Sequence, residues 1–193
     1  MDSIIINGGK ELKGSVSASG AKNAVLPMMV ASLLADGKTT LTNVPKLRDT
    51  ITMASLVEIT GAEIELDFPK ITIDSTGVNN PEAPYELVKT MRASFYILGP
   101  ILARFGKAKV SLPGGCAWGP RPVDFHLKAL NKMGVSIRLE GGYVLAEVSK
   151  LRGTNIRFDF PSVGATGNVL MAAVTAQGIT TIENAAMEPE IVQ

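Results

Sequence analysis

The chain has 193 residues, 46% of them hydrophobic and 19% charged, and its 19 basic and 18 acidic side chains leave a net charge of +1. This composition excludes an intrinsically disordered chain, and the lack of a basic block argues against a nucleic-acid partner. The longest apolar run, Ala24 to Ala35, is broken by Pro27 and Ser32 and is too short to cross a bilayer. A lone cysteine and the absence of a signal-peptide pattern favour a reducing cytoplasm.

Three segments of the chain repeat one order of predicted elements. In each, an apolar helical stretch precedes a glycine and a short β-branched strand, and these glycines are Gly37, Gly106 and Gly178. Gly37 and Gly106 are predicted to end their helices, because glycine adopts positive φ at little cost. The first two segments continue with an amphipathic helix and two strands, the later pair turning at Gly141 and Gly142. The sequence therefore predicts an α/β fold of βαβαββ repeats, each about 70 residues long.

The predicted units occupy about residues 21–80, 84–150 and 154–193, and the third stops where its second helix would be under way. A repeat unit buries its apolar face against its neighbours, so we expect the chain to be part of a longer protein. The alternative is a shortened third unit that an N-terminal strand, Ile4 to Asn7, completes.

A loop rich in glycine and proline is predicted between Pro113 and Pro122, where three prolines and three glycines exclude a regular element. The only cysteine, Cys116, lies in this loop near Arg121. A cation and a helix N-terminus lower a thiol pKa, so Cys116 is a candidate nucleophile or proton donor. The alternative is a small buried hydrophobic side chain, which is a common role of free cysteine.

Polar residues open the first predicted helix of each unit. Lys22 and Asn23 open the first helix, Arg92 has the equivalent place in the second unit, and Ser162 to Gly164 open the third. Cations and backbone N–H groups at helix starts bind anions, so the pattern indicates a polar ligand with an anionic part. The alternative for Lys22 is a solvated lysine, and the nucleotide P-loop pattern is absent.

A further helix is predicted to start near Pro122 or Asp124, and both residue types are typical of a helix start. Arg121 is unusual there, because cations are disfavoured at a helix N-terminus unless an anion occupies it. His126 is the only histidine, and no cluster of ligands accompanies it. We therefore predict no metal site and expect His126 to face solvent or to be hydrogen-bonded.

Seven motifs along the whole chain resemble those of the UDP-N-acetylglucosamine 1-carboxyvinyltransferases, a family of enolpyruvyl transferases. The motifs are SGAKNA at 19–24, NVPKLRD at 43–49, PYELVKTMRAS at 84–94, LPGGC at 112–116, GPRPVDFH at 119–126, PSVGAT at 161–166 and ENAAMEPEIV at 183–192. The resemblance implies transfer of the enolpyruvyl group from phosphoenolpyruvate to the 3-hydroxyl of UDP-N-acetylglucosamine, with release of phosphate, in peptidoglycan precursor synthesis. It implies no metal and no organic cofactor.

The resemblance also implies a fold, an inside-out α/β barrel of two lobes that each contain three βαβαββ units. Residues 1–20 would then be an N-terminal strand segment that belongs to the second lobe. Residues 21–193 would form the catalytic lobe, and the second lobe would be the missing partner of this chain.

Roles follow from the same resemblance for residues that match its motifs. Lys22 and Asn23 would contact phosphoenolpyruvate, with Lys22 neutralising the phosphate and the tetrahedral intermediate, and Arg92 would bind a charged substrate group. Cys116 would be the general acid that protonates the methylene carbon, and it is the residue that fosfomycin alkylates in the family. The residues expected to line the UDP-sugar site are Arg121, Pro122, Val123, Asp124, Phe125, Ser162, Val163 and Gly164.

Two positions depart from the family pattern, because Trp118 is a bulky neighbour of the cysteine and Phe160 stands where some relatives carry lysine. The family's base and further arginines come from the second lobe, so this chain alone is expected to catalyse nothing. A shikimate-type enolpyruvyl transferase is one alternative, although that branch lacks the LPGGC cysteine. A non-catalytic binding or scaffold module of stacked βαβ repeats is the other.

Overall fold

The computed structural model describes residues 3–113 and 123–192. Its first unit contains two helices and a three-stranded antiparallel sheet of order β1-β3-β2. In the central strand Ile71 and Ile73 are fully buried and alternate with more exposed residues, as expected for a sheet with one covered face. The elements are α1 (Lys22–Ala31), a 3-10 turn (Ser32–Leu34), β1 (Lys38–Leu41), α2 (Arg48–Glu58), β2 (Glu63–Asp67) and β3 (Lys70–Asp74).

The second unit is the most complete of the three. Its four strands have the order β4-β5-β7-β6, with β4 parallel to β5 and the other pairs antiparallel. Gly141 and Gly142 turn the β6–β7 hairpin with φ angles of 57° and 82°, which confirms the predicted turn. The elements are β4 (Glu82–Ala83), α3 (Tyr85–Val88), a 3-10 helix (Arg92–Ile97), α4 (Leu98–Phe105), β5 (Lys107–Ser111), α5 (Asp124–Lys132), β6 (Ser136–Glu140) and β7 (Tyr143–Glu147).

The third unit begins with the same order of elements, and its two strands pair in parallel. The predicted βαβαββ order is confirmed in the second unit and is followed in the third as far as the start of the second helix. The elements are β8 (Asn155–Arg157), α6 (Val163–Ala173), β9 (Thr181–Glu183) and α7 (Pro189–Val192).

The core lies where the first apolar helices of the three units pack together. Helix α6 buries seven of its residues, so it is covered on several sides, and it packs against α4 and the 3-10 helix before α4. Gly99 permits this approach, because a Cβ there would overlap Asn168. Arg104 ties α4 to the first unit by donating hydrogen bonds of 2.9–3.1 Å to the carbonyls of Leu33, Ala35 and Ser75.

The two glycines that are predicted to end helices differ in the structure. Gly106 ends α4 at a φ of 66° as predicted, but Gly37 follows a 3-10 turn that stops at Leu34. The prediction that Gly37 ends a helix is therefore wrong, although its φ of 126° still requires glycine. No helix in the described ranges is long and apolar enough to span a membrane.

The N-terminal segment packs against nothing that would complete the third unit. Residues 3–20 form neither helix nor strand, and Ile4, Ile5 and Ile6 are 83–89% exposed. The alternative in which Ile4 to Asn7 completes the third unit is therefore wrong. The assignment of residues 1–20 to a second lobe stays a prediction.

Candidate active site

A cleft of about 600 Å³ opens where the three core helices begin. Lys22 is the first residue of α1, Arg92 is the first residue of the 3-10 helix, and Ser162 is the N-cap of α6, and all three line the cleft. The fold thus brings together the helix starts that the sequence pattern indicates separately.

Lys22 stays partly solvated, but it is not without a partner, since its Nζ forms an ion pair of 2.7 Å with Asp49 Oδ2. Asp49 lies in the first turn of α2, and the pair forms because α1 packs against α2. Both side chains remain accessible from the cleft, at 44% and 34% exposure. Sequence reasoning missed Asp49, although it lies within the NVPKLRD motif.

The cleft is also lined by Arg92 and by two carboxylates, Glu188 and Glu190, that sequence reasoning did not select. Burial raises the pKa of Tyr96 to about 12, and Glu190 adds to this rise while Arg92 opposes it. The described part of the cleft therefore holds the two cations Lys22 and Arg92 against three carboxylates, including Asp49. Its net charge does not by itself favour an anion.

The start of α6 offers uncharged donors instead. Ser162 caps the helix, since its Oγ accepts a hydrogen bond of 3.3 Å from the Ala165 N–H. The N–H groups of Val163 and Gly164 donate to no other described residue. Both residues line the cleft, so these two donors are available to a ligand.

His126 is hydrogen-bonded and only 7% exposed, which agrees with the second of the two predicted outcomes. It extends from α5 towards α6, and one edge of its ring borders the cleft next to Gly164. Burial, and to a smaller extent Arg92, lower the pKa of His126 to about 4 against the opposing effect of Asp124. The imidazole is therefore neutral around neutral pH.

The other candidate residues divide into three groups. Asn23 and Val123 line the cleft with those already described. Asp124 and Phe125 do not line it, because Asp124 pairs with Lys128 on the surface and Phe125 packs edge-on against Phe158. The candidates that lie outside the described residues are Cys116, Arg121 and Pro122.

The described residues on either side of the segment 114–122 both border the cleft, and they are Pro113 and Val123. Within the described ranges, no group of three or more histidine, cysteine, aspartate or glutamate side chains is placed to hold a metal ion.

The class of protein to which this chain belongs is shown by a family model. The family model described as EPSP synthase (3-phosphoshikimate 1-carboxyvinyltransferase) matches residues 6–193, and the chain belongs to that family.

Relatives within the family are close over the whole chain. The chain is 54% identical over its full length to a UDP-N-acetylglucosamine 1-carboxyvinyltransferase of Chloroherpeton thalassium, and 56% identical over 99% of its length to one of Desulfosudis oleivorans. It spans 46% of each of these proteins, which is under half of their length.

Solved structures share the fold at lower identity. The enolpyruvyl transferase NikO from Streptomyces tendae matches 96% of the chain with a TM-score of 0.82 at 24% identity, and the chain covers 44% of it. An EPSP synthase from Acinetobacter baumannii matches 96% with a TM-score of 0.77 at 20% identity, and the chain covers 43% of it. These matches confirm the predicted enolpyruvyl transferase fold and identify the chain as one lobe of it.

Proposed function

We propose that this chain supplies about half of a cytoplasmic enzyme that transfers the enolpyruvyl group from phosphoenolpyruvate to the 3-hydroxyl of UDP-N-acetylglucosamine, in peptidoglycan precursor synthesis. The observation that carries the proposal is the cleft, in which helix starts from all three units converge. Phosphoenolpyruvate and the UDP diphosphate are anions, and helix N-termini with placed cations bind such groups. The relatives that match the whole chain at 54% and 56% identity are named for this activity.

The cleft suggests a division of labour between its two sides. Lys22, held by Asp49, would bind the phosphate of phosphoenolpyruvate and stabilise the negative charge of the tetrahedral intermediate. The N–H groups at the start of α6 would bind the UDP-sugar. Cys116 would protonate the methylene carbon as the sugar oxygen bonds to the neighbouring carbon. Loss of a proton from the resulting methyl group would then expel phosphate and restore the vinyl group.

The charge of the cleft explains why this chain alone is expected to be inactive. Two cations face three carboxylates in the described residues, so further positive charge is needed to hold two anionic substrates. Arg121 and the second lobe would supply it. The base that deprotonates the sugar hydroxyl would also come from the second lobe.

A shikimate-type acceptor is the second candidate, because the family model carries the description of an EPSP synthase. The LPGGC motif at 112–116 argues against it, as does the 20% identity to the A. baumannii EPSP synthase. The alternative of a non-catalytic scaffold predicts no turnover with either acceptor.

The test is to join this chain to the C-terminal part of the C. thalassium relative and to measure phosphate release from phosphoenolpyruvate. We expect turnover with UDP-N-acetylglucosamine, none with shikimate 3-phosphate, and none from either part alone. Lys22→Gln should abolish turnover, whereas Lys38→Gln, at an exposed lysine outside the cleft, should not. Turnover with shikimate 3-phosphate, or with neither acceptor despite a folded fusion, would contradict the proposal.

A further inference from the structure

Asn168, near the middle of α6, is fully buried and joins three elements of the core. Its Oδ1 accepts a hydrogen bond of 2.6 Å from the Gly99 N–H, and its Nδ2 donates one of 2.8 Å to the Phe95 carbonyl. A backbone N–H only donates and a carbonyl only accepts. These two partners therefore fix which end of the amide is oxygen and which is nitrogen.

The second hydrogen of the Asn168 amide determines the tautomer of His126. Asn168 Nδ2 lies 2.9 Å from His126 Nδ1, and because the amide nitrogen must donate, Nδ1 must accept. In a neutral imidazole the remaining proton then resides on Nε2. The network thus holds His126 as a hydrogen-bond donor at Nε2.

The surroundings of the ring preserve this neutral state. The Phe95 ring contacts His126 edge-on, with centroids 5.1 Å apart, and Arg92 is the nearby cation that disfavours a second positive charge. Asp124 is the charged group that acts in the opposite direction. Burial outweighs Asp124, so the imidazole keeps one proton around neutral pH.

The Nε2 edge of the ring lies at the start of α6. A Cβ built on Gly164 would come within 3.2 Å of both Cε1 and Nε2 of His126, so a side chain there would push the ring away by a few tenths of an ångström. No described residue bonds Nε2, and the N–H groups of Val163 and Gly164 likewise donate to no other described residue. Three donors therefore meet at one place on the cleft wall.

We propose that His126 contacts the substrate, and that its Nε2–H binds a phosphoryl oxygen of a nucleotide sugar together with the N–H groups of Val163 and Gly164. Asn168 is the positioning residue that orients the ring. This inference rests on the proposed function and deepens it by naming a neutral donor for the diphosphate. The Nε2–H of His126 is suited to this role, because Asn168 fixes the direction in which it points. The imidazole is neutral around neutral pH, so ligand binding through Nε2–H does not depend on its protonation there.

Because His126 is the only histidine, the imidazole nitrogens can be observed directly in a two-bond proton–nitrogen correlation spectrum of the isotope-labelled chain. We expect the Nε2–H tautomer across neutral pH, and a shift of the Nε2 resonance when UDP-N-acetylglucosamine is added. The Nδ1–H tautomer, or titration near the ordinary histidine pKa, would overturn the proposal without affecting the proposed function.

A pair of variants separates contact with the substrate from a structural role. In His126→Gln the amide can reach the Nε2 position, whereas in His126→Asn it can replace only Nδ1. We expect His126→Asn to weaken binding of UDP-N-acetylglucosamine about tenfold and His126→Gln to weaken it less than about threefold. Equal effects in the two variants would overturn the inference.

Inorganic phosphate serves as the second probe and distinguishes the two proposals. If phosphate shifts the Nε2 resonance but UDP-N-acetylglucosamine does not, the donor role stands, and turnover of the fused protein with each acceptor decides whether the proposed acceptor is wrong. If UDP-N-acetylglucosamine binds and the Nε2 resonance does not move, the acceptor stands and the role of His126 is wrong. If neither probe moves the Nε2 resonance, the role of His126 is wrong, and turnover of the fused protein decides the proposed function separately. The Nε2 resonance is measured on the wild-type chain and is independent of how the variants fold.

Discussion

The two sides of the cleft are built in opposite ways. On one side Lys22 and Asp49 form an exposed ion pair between side chains. On the other, His126 and Asn168 form a buried network, in which the Asn168 amide is hydrogen-bonded to two backbone groups and to one ring nitrogen of His126. Exposed charges are screened and mobile, whereas buried hydrogen bonds hold a direction. The comparison shows that charge and geometry are contributed to this site by different parts of the fold.

The largest effect is expected for Asn168→Ala, which removes the centre of the buried network. The Gly99 N–H and the Phe95 carbonyl would lose their partner in the core, so we expect a loss of about 4 kcal/mol in the free energy of unfolding. Asn131→Ala is the matched control, since Asn131 makes one partly buried hydrogen bond to Val135, and it should cost about 1 kcal/mol. Urea denaturation measures both, and equal losses would contradict the central role of Asn168.

The next effect is a pH dependence that comes from His126. Its pKa is about 4 in the folded chain, against about 6.5 in the unfolded chain. Between these values the unfolded chain binds the proton and the folded chain does not, so stability falls as the pH drops through this range. We expect this residue to account for a loss of about 3 kcal/mol between about pH 7 and pH 4.

His126→Gln isolates that contribution, because the carboxylates titrate in both proteins. Denaturation at several pH values should show a shallower decline for the variant. Parallel declines would mean that burial does not keep the imidazole neutral.

A smaller effect is expected on the charged side of the cleft. Asp49→Asn removes the partner of Lys22, and loss of an exposed pair should change stability by less than about 1 kcal/mol. Inorganic phosphate should bind this chain about threefold more tightly, because the charge of Lys22 is no longer neutralised. A resonance titration with phosphate measures this, and weaker binding would show that Asp49 matters more for the position of Lys22 than for its charge.

The smallest effect is expected for Lys128→Ala in the middle of α5. Lys128 forms an exposed pair of 3.3 Å with Asp124, four residues earlier on the same helix, away from the cleft. The free energy of unfolding should change by less than about 0.5 kcal/mol, and ligand binding should not change. An altered affinity for UDP-N-acetylglucosamine would place Asp124 at the site, as the family resemblance suggests.

Features that depend on neighbouring residues could be predicted from the sequence. The order of helices and strands, the turn at Gly141 and Gly142, and the three polar helix starts all follow from local patterns. Gly37 was misassigned because a positive φ occurs both at helix ends and in other turns. The positions of Cys116 and Arg121 lie outside the described residues.

The contacts that organise the cleft could not be predicted, because they join distant parts of the chain. Lys22 and Asp49 are 27 residues apart, and His126 and Asn168 are 42 residues apart. An isolated histidine and a polar residue within an apolar helix carry no local signal that they will meet. Only the packing of α5 and α6 brings them together.

The central claim is that the three helix starts form the ligand site, and amide resonance mapping of the chain with UDP-N-acetylglucosamine tests it most directly. We predict that the largest shifts occur at Lys22, Arg92 and Ser162 to Gly164. Shifts confined to a separate surface depression, which Lys46, Arg48 and neighbouring residues line, would contradict the account.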